Sequence, residues 1–133
     1  MMRWVLPYLA TLIAICVLDF LWLGFVAKDF YRGQVGGLLL ERPRWGAAGV
    51  FYAMYAAGVL GFAALPAFDT GTGLRALVQG ALLGLLCYGT YDLSNLATLK
   101  GWSGALAAVD VTWGMAVTAT ASLVGYAVLR HAT

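Results

Sequence analysis

Three aspartates lie within stretches that are otherwise apolar, and their carboxyl groups are the strongest candidates for chemistry in this chain. Asp19, Asp92 and Asp110 are each the only charged residue of their stretch. On insertion scales, a carboxylate at mid-bilayer costs about 3 kcal/mol. Three such costs approach the whole net stability of a typical protein, so chance is a poor explanation. We therefore expect a site that titrates a proton or accepts a cation.

Positions along the chain predict a common depth for these carboxyl groups. Asp19 is nine residues before Lys28, Asp92 is eight before Lys100, and Asp110 lies just inside the start of the last apolar stretch. At about 1.5 Å per helical residue, each is roughly 10 to 14 Å from the same boundary. Antiparallel neighbours would bring the three into one layer.

Helical spacing adds polar and aromatic neighbours to the three acids. Residues three or four apart share a helix face, which groups Tyr88 and Asn95 with Asp92 and places Tyr91 on the adjacent stripe. The predicted ligand-binding residues are Asp19, Trp22, Tyr88, Tyr91, Asp92, Asn95, Lys100, Asp110 and Trp113. In a second interpretation, Lys28 and Lys100 reach in and neutralise the acids, which makes a purely structural polar clasp.

Two tryptophans follow an aspartate by three residues, Trp22 after Asp19 and Trp113 after Asp110. An indole can donate its N–H to a polar neighbour and separate a carboxylate from lipid. Tryptophan also anchors helices at the membrane interface, which we expect of Trp4, Trp45 and Trp102. For Trp22 and Trp113 both interpretations stay open.

Four long apolar stretches must position these residues. The chain has 133 residues, of which 62% are hydrophobic and 11% charged, unlike most soluble domains. About 20 helical residues cross a hydrocarbon layer of about 30 Å, and the stretches 4–27, 45–68, 76–99 and 102–129 are all long enough. No small-residue cleavage site follows the first stretch, so we expect it to stay as a spanning helix. The sequence predicts an all-α integral membrane four-helix bundle, one transmembrane domain over 1–133, with antiparallel up-down neighbours.

Small residues recur at a spacing of four and predict close helix packing. Such residues let backbones approach in lipid, where packing and hydrogen bonds drive association. The residues are Ala57 and Gly61, Gly80 and Gly84, and Gly114, Thr118 and Ser122. We expect them to build the bundle rather than a dedicated dimer seam. Four helices enclose little space, so a transport role would need a homo-oligomer.

The distribution of Lys and Arg predicts the orientation of the chain in the membrane. Five Lys or Arg lie in the first and third connections and three on the other side, which favours both termini outside and these connections in the cytoplasm. The net charge of +2 gives no indication of nucleic-acid binding. Membrane lipids are the expected partners.

Several established chemistries lack their residues. The only histidine, His131, is near the C-terminus, which argues against Ser-His nucleophiles, histidine-ligated haem and a metal site with Cys16 or Cys87. Phosphate-binding loops and zinc motifs are missing. We expect no cofactor and no metal.

Three sequence strings carry a resemblance. These are "DFLWLGFVAKDFY" at 19–31, "TYDLSNLATLKGW" at 90–102 and "DVTWG" at 110–114. In combination they resemble the uncharacterised bacterial membrane-protein family catalogued as domain of unknown function 2177. That family often has Thr at the position of Ser94 and Pro at that of Ser103. The resemblance implies a four-helix protein of the bacterial inner membrane, and since relatives are sometimes encoded near lipid-modifying enzymes, it suggests a link to lipid chemistry. The positions that match its polar strings are Asp19, Trp22, Asp92, Asn95, Lys100, Asp110 and Trp113.

Three functions follow as hypotheses. The acids bind, and in one version carry, a cationic or lipid-headgroup ligand. Alternatively, the protein is a membrane-embedded enzyme or accessory subunit in lipid modification, with one carboxyl as general acid and another as base. The third hypothesis is a structural scaffold subunit. Whether the protein is an enzyme is left open by the sequence.

Overall fold

The chain folds into helices joined by short connections. The computed structural model describes residues 2–40 and 42–132, and no strand occurs among them. The helices are α1 (Met2–Leu21), α2 (Lys28–Val35), α3 (Trp45–Val59), α4 (Leu65–Thr70), α5 (Gly73–Thr98) and α6 (Gly104–Ala132). A π-helical turn, Trp22–Val26, extends α1, and another, Leu60–Ala64, joins α3 to α4. The all-α prediction is confirmed.

Four helical stretches are long and apolar enough to cross a membrane. They cover Arg3–Val26, Trp45–Thr70, Gly73–Thr98 and Gly104–His131. Each has at least the roughly 20 residues that a bilayer requires. The prediction of four candidate spans is therefore confirmed, while their antiparallel order stays a prediction.

Helix α6 is the central element, since it packs along both α5 and α1. Glycines of α5 allow the backbones of α5 and α6 to come into contact. A Cβ added to Gly80 would lie only 2.7 Å from the carbonyl oxygen of Thr118, so no larger residue fits there. One added to Gly84 would overlap the carbonyl group of Gly114. The predicted small-residue packing is therefore found between α5 and α6. Ala57 and Gly61 differ, because both are exposed.

Two apolar clusters form the core, and the three aspartates belong to neither of them. One consists of Leu60, Ala64, Ala67, Ala76, Tyr126 and Leu129, and the other of Ile15, Ala56, Val59 and Ala121. The buried hydroxyl of Thr118 is 2.6 Å from that of Tyr55, so it has the partner that a buried polar group requires.

The connection between α5 and α6 fixes the start of α6. Gly101 has φ +82°, a left-handed conformation that glycine adopts without steric cost. The Oγ of Ser103 accepts a hydrogen bond from the backbone N–H of Leu106 at 3.0 Å, which caps α6. The same hydroxyl donates to Gln34 of α2. Helix α2 is thereby attached to the first turn of α6, close to Asp110.

Candidate functional site

Asp19 is held by two hydrogen bonds between different helices. Its side chain is only 7% exposed. Tyr52 of α3 donates its hydroxyl to Oδ2 at 2.7 Å, and Trp113 of α6 donates its indole N–H to Oδ1 at 2.8 Å. Asp19 therefore joins α1, α3 and α6, and each of its oxygens has a donor.

An aromatic pair connects Asp19 to Asp110. The rings of Trp22 and Trp113 are stacked, with centroids 4.5 Å apart and planes 4° from parallel. Trp22 donates to the hydroxyl of Tyr31 at 3.2 Å, and that hydroxyl donates to Oδ1 of Asp110 at 2.8 Å. Both tryptophans thus contact the polar cluster directly, which favours the pocket interpretation over interfacial anchoring.

Tyr31 lies on α2, outside the four candidate spans. Burial raises the pKa of its phenol, and so does the negative charge of Asp110. The hydroxyl consequently stays protonated at physiological pH and can act as a donor to the carboxylate.

Asp92 differs from the other two aspartates because it has no donor. Its side chain is fully buried, and neither carboxylate oxygen has a hydrogen-bond partner within residues 2–40 and 42–132. The Asp110 carboxyl and the indole N–H of Trp102 both lie close enough to act on its carboxyl group, although neither forms a hydrogen bond of regular geometry with it. The Trp102 Nε1 is itself buried and without an acceptor in that part of the chain. Buried carboxylates without a well-formed hydrogen bond are costly and rare, which sets Asp92 apart from Asp19 and Asp110.

A cavity of about 250 Å³ borders Asp110. Asp110 and Trp102, the two neighbours of Asp92, both line it. Aromatic rings of Tyr31 and Tyr91 contribute further walls, and the rest is aliphatic. Tyr91 meets Trp102 edge to face, with ring centroids 5.6 Å apart. Asp92 does not line this cavity itself, but it interacts with two residues of its wall.

A second cavity, of about 360 Å³, also has Tyr31 in its wall. Lys28 and Arg32 line it and supply positive charge. Tyr31, Val35 and Leu39 line both cavities. Acidic and basic walls are thus separated by one face of α2 and the residues that follow it.

The remaining predicted residues lie at varying distances from this cluster. Tyr88 packs flat on Gly114 and meets Tyr55 edge to face, with centroids 6.2 Å apart, so it spaces α3, α5 and α6. Asn95 is half-buried and lines neither cavity. Lys100 is exposed at the end of α5 and also lines neither. The hydrogen bonds of Asp19 and Asp110 come from tyrosine and tryptophan, not from the lysines of the structural clasp.

Three residues of the cluster are not among those selected from the sequence. Tyr31 ends the string "DFLWLGFVAKDFY", but it lies in a connection rather than in a predicted helix. Trp102 was expected at the interface, and it lines the cavity because the turn at Gly101 folds it back towards Tyr91. Tyr52 carries no signal in the sequence, since tyrosine is common near membrane interfaces.

Metal-ligating residues do not gather in the described part of the chain, where no group of three or more His, Cys, Asp or Glu side chains could hold an ion. Cys16 and Cys87 are exposed on the outer surface of the helices. The chemistry that the cluster offers is therefore that of carboxylates, phenols and indoles.

The comparison with known proteins agrees with the membrane assignment. A family model described as "Predicted membrane protein (DUF2177)" matches residues 4–127, nearly the whole chain. Neither a curated protein nor a solved structure matches. The matched region contains all three aspartates and both cavities. The resemblance found in the sequence strings is thereby confirmed, and the chain belongs to the DUF2177 family of predicted membrane proteins.

Proposed function

We propose that Asp92 and Asp110 bind the ammonium group of a ligand that resides in the membrane. The observation that carries this proposal is the Asp92 carboxylate, which is fully buried and has no donor among the described residues. Its neighbour Asp110 opens onto a cavity. A cationic group entering this cavity would be attracted by both carboxyl groups.

The three aspartates divide into structural and binding groups. Asp19 has one donor on each oxygen and so resembles a structural link. Asp110 has one donor, Tyr31, and Asp92 has none within 2–40 and 42–132. Two adjacent carboxyl groups in a poorly solvated place disfavour double ionisation unless a proton or a cation lies with them. An ammonium group supplies both the positive charge and three N–H donors.

The walls of the cavity also suit a cation. Tyr31, Tyr91 and Trp102 present aromatic rings to it, and such rings attract an ammonium group through their quadrupole. A volume of about 250 Å³ is below the range of about 300 to 1,000 Å³ for pockets that enclose drug-sized molecules. The cavity therefore fits a small head group rather than a large polycyclic ligand.

The basic residues of the first and third connections support a cytoplasmic position for this cluster. The proposed arrangement is a multi-pass protein of the bacterial inner membrane with both termini outside. The ligand would then enter from the cytoplasmic leaflet. Carriage across the membrane would additionally require proton-dependent flux in liposomes, and lipid modification would require product formation by the purified protein.

The proposal is tested with octylammonium, an amine with a short apolar tail. Protein in detergent is titrated with it and binding is followed by native mass spectrometry, with octanol as the uncharged control. We expect saturable binding of the amine alone, weakened at least tenfold by Asp92→Asn and unchanged by Asp69→Asn, an exposed aspartate at the end of α4. Equal binding by a folded Asp92→Asn variant would refute the proposal.

A measurement on the unaltered protein covers the case in which Asp92→Asn fails to fold. Dicyclohexylcarbodiimide modifies protonated carboxyl groups in apolar surroundings, and peptide mass spectrometry locates the adduct. We expect modification of Asp92 or Asp110 that octylammonium suppresses and octanol does not. Modification that is insensitive to the amine would count against a cation site.

A further inference from the structure

The two cavities beside α2 carry opposite charges and share a wall. Asp110, which interacts with the buried Asp92, lines the smaller one, and Lys28 and Arg32 line the larger one. Tyr31 belongs to both, and its hydroxyl already donates to Asp110 at 2.8 Å. A ligand extending over Tyr31 would therefore meet a negative site on one side and a positive site on the other.

The four-residue spacing of side chains along α2 places the basic residues beside the residues that line both cavities. Lys28 and Arg32 are four residues apart, and so are Tyr31 and Val35, which gives two adjacent stripes on one helix. The first stripe is cationic and exposed, and the second lines both cavities. Lys and Arg side chains can lay their aliphatic stems along apolar surface while the charged ends reach polar groups.

Resting on the proposed function, we infer that the ligand is a zwitterionic phospholipid with a primary amine, of the phosphoethanolamine type. Its ammonium group lies at Asp110, where the charge of the buried Asp92 also attracts it, and its phosphate lies against Lys28 and Arg32. The glycerol and the start of the acyl chains follow the apolar surface of Val35 and Leu39, which both cavities share.

The hydrogen-bonding capacity of the acids selects a primary amine. Both oxygens of Asp92 lack a donor in the described chain, and Tyr31 occupies only one oxygen of Asp110. Three N–H donors of an ammonium group match these acceptors, whereas a quaternary trimethylammonium group has no N–H to offer. A phosphoglycerol head group brings no positive charge and would leave the two acids uncompensated.

The depth of Asp110 in the membrane is compatible with the position of a lipid head group. Asp110 follows the first residue of α6, Gly104, by six residues, which is about 9 Å along the helix axis. The polar region on each side of the hydrocarbon core is about 5 to 8 Å thick. An amine at Asp110 therefore lies near the boundary between head groups and acyl chains.

The inference is tested by native mass spectrometry with three lipids that have identical acyl chains and phosphoethanolamine, phosphocholine or phosphoglycerol head groups. For the unaltered protein we expect at least tenfold tighter binding of the phosphoethanolamine lipid than of the other two. Equal binding of the phosphocholine lipid, or preference for the phosphoglycerol lipid, would overturn the inference. This comparison requires no substitution.

Variants then test the two halves of the head group. The double variant Lys28→Gln with Arg32→Gln removes two exposed charges, and we expect at least fivefold weaker binding of the phosphoethanolamine lipid. The matched control is Arg42→Gln with Arg44→Gln, which removes two exposed charges from the same connection but outside both cavities. Equal lipid affinity of the two double variants would refute the phosphate site.

Octylammonium separates this inference from the function on which it rests. It has an amine and no phosphate, so its binding should depend on Asp92 and not on Lys28 or Arg32. If it binds while the lipids are not discriminated, the cation site stands and the phospholipid assignment fails. If neither octylammonium nor the phosphoethanolamine lipid binds, both are wrong.

Discussion

Gly84→Ala should separate α5 from α6 and disturb the pair of acids. A Cβ at Gly84 would overlap the carbonyl group of Gly114 and lie 2.9 Å from the Cα of Met115. These are backbone atoms of a helix and cannot rotate aside, so α5 itself must move. Since α5 also carries Asp92 and α6 carries Asp110, the displacement would pass to the proposed site.

Gly89→Ala is the matched control on the same helix. Gly89 is buried, yet a Cβ there has no atom within 4 Å. Alanine in place of glycine gains about 1 kcal/mol of helix propensity at either position, so this contribution cancels when the variants are compared. Overpacking costs about 1 to 3 kcal/mol. We therefore expect Gly84→Ala to be less stable than Gly89→Ala by about that amount.

The assay is reversible unfolding in mixed detergent micelles, followed by circular dichroism, with octylammonium binding measured on the same samples. Gly84→Ala should unfold at a lower denaturant fraction and bind the amine more weakly, whereas Gly89→Ala should match or exceed the unaltered protein. Equal stability of the two variants would refute the close approach of α5 and α6. Lower stability with unchanged amine binding would show that this approach does not position Asp92 and Asp110.

Three further changes should lower the free energy of unfolding in the same assay. Tyr52→Phe removes one of the two hydrogen bonds that Asp19 receives from other helices, and we expect a loss of about 0.6 to 1.7 kcal/mol. Tyr8→Phe, whose hydroxyl bonds a backbone carbonyl, is the comparison, and an unchanged stability of Tyr52→Phe would contradict the link through Asp19. Ser103→Ala removes the cap of α6 and should cost about 1 kcal/mol, so an unchanged stability would argue against capping. Gly71→Ala places a side chain at φ +80° and should lower the free energy of unfolding by about 1 to 2 kcal/mol. The control Gly58→Ala, with open space at its Cβ, should not lower it. Similar free energies of unfolding for the two variants would contradict the left-handed turn.

The sequence by itself determined the membrane architecture and the chemically unusual residues. Span length depends on the bilayer thickness, and backbone groups in lipid must be satisfied within each helix, so a one-dimensional pattern is sufficient. A single carboxylate in each of three spans is equally visible without a structure.

Only the tertiary structure decided which aspartates receive hydrogen bonds and which one has no regular donor among the described residues. The donors to Asp19 and Asp110 are separated from them by 33, 94 and 79 residues along the chain. Whether such groups meet depends on the tilt and rotation of each helix and on the path of α2, which no local pattern encodes. The same geometry brought Trp102 into the cavity wall and left Lys100 outside it. Hydrogen bonds reach only about 3 Å, so a small rotation of one helix decides between a paired and an unpaired carboxylate.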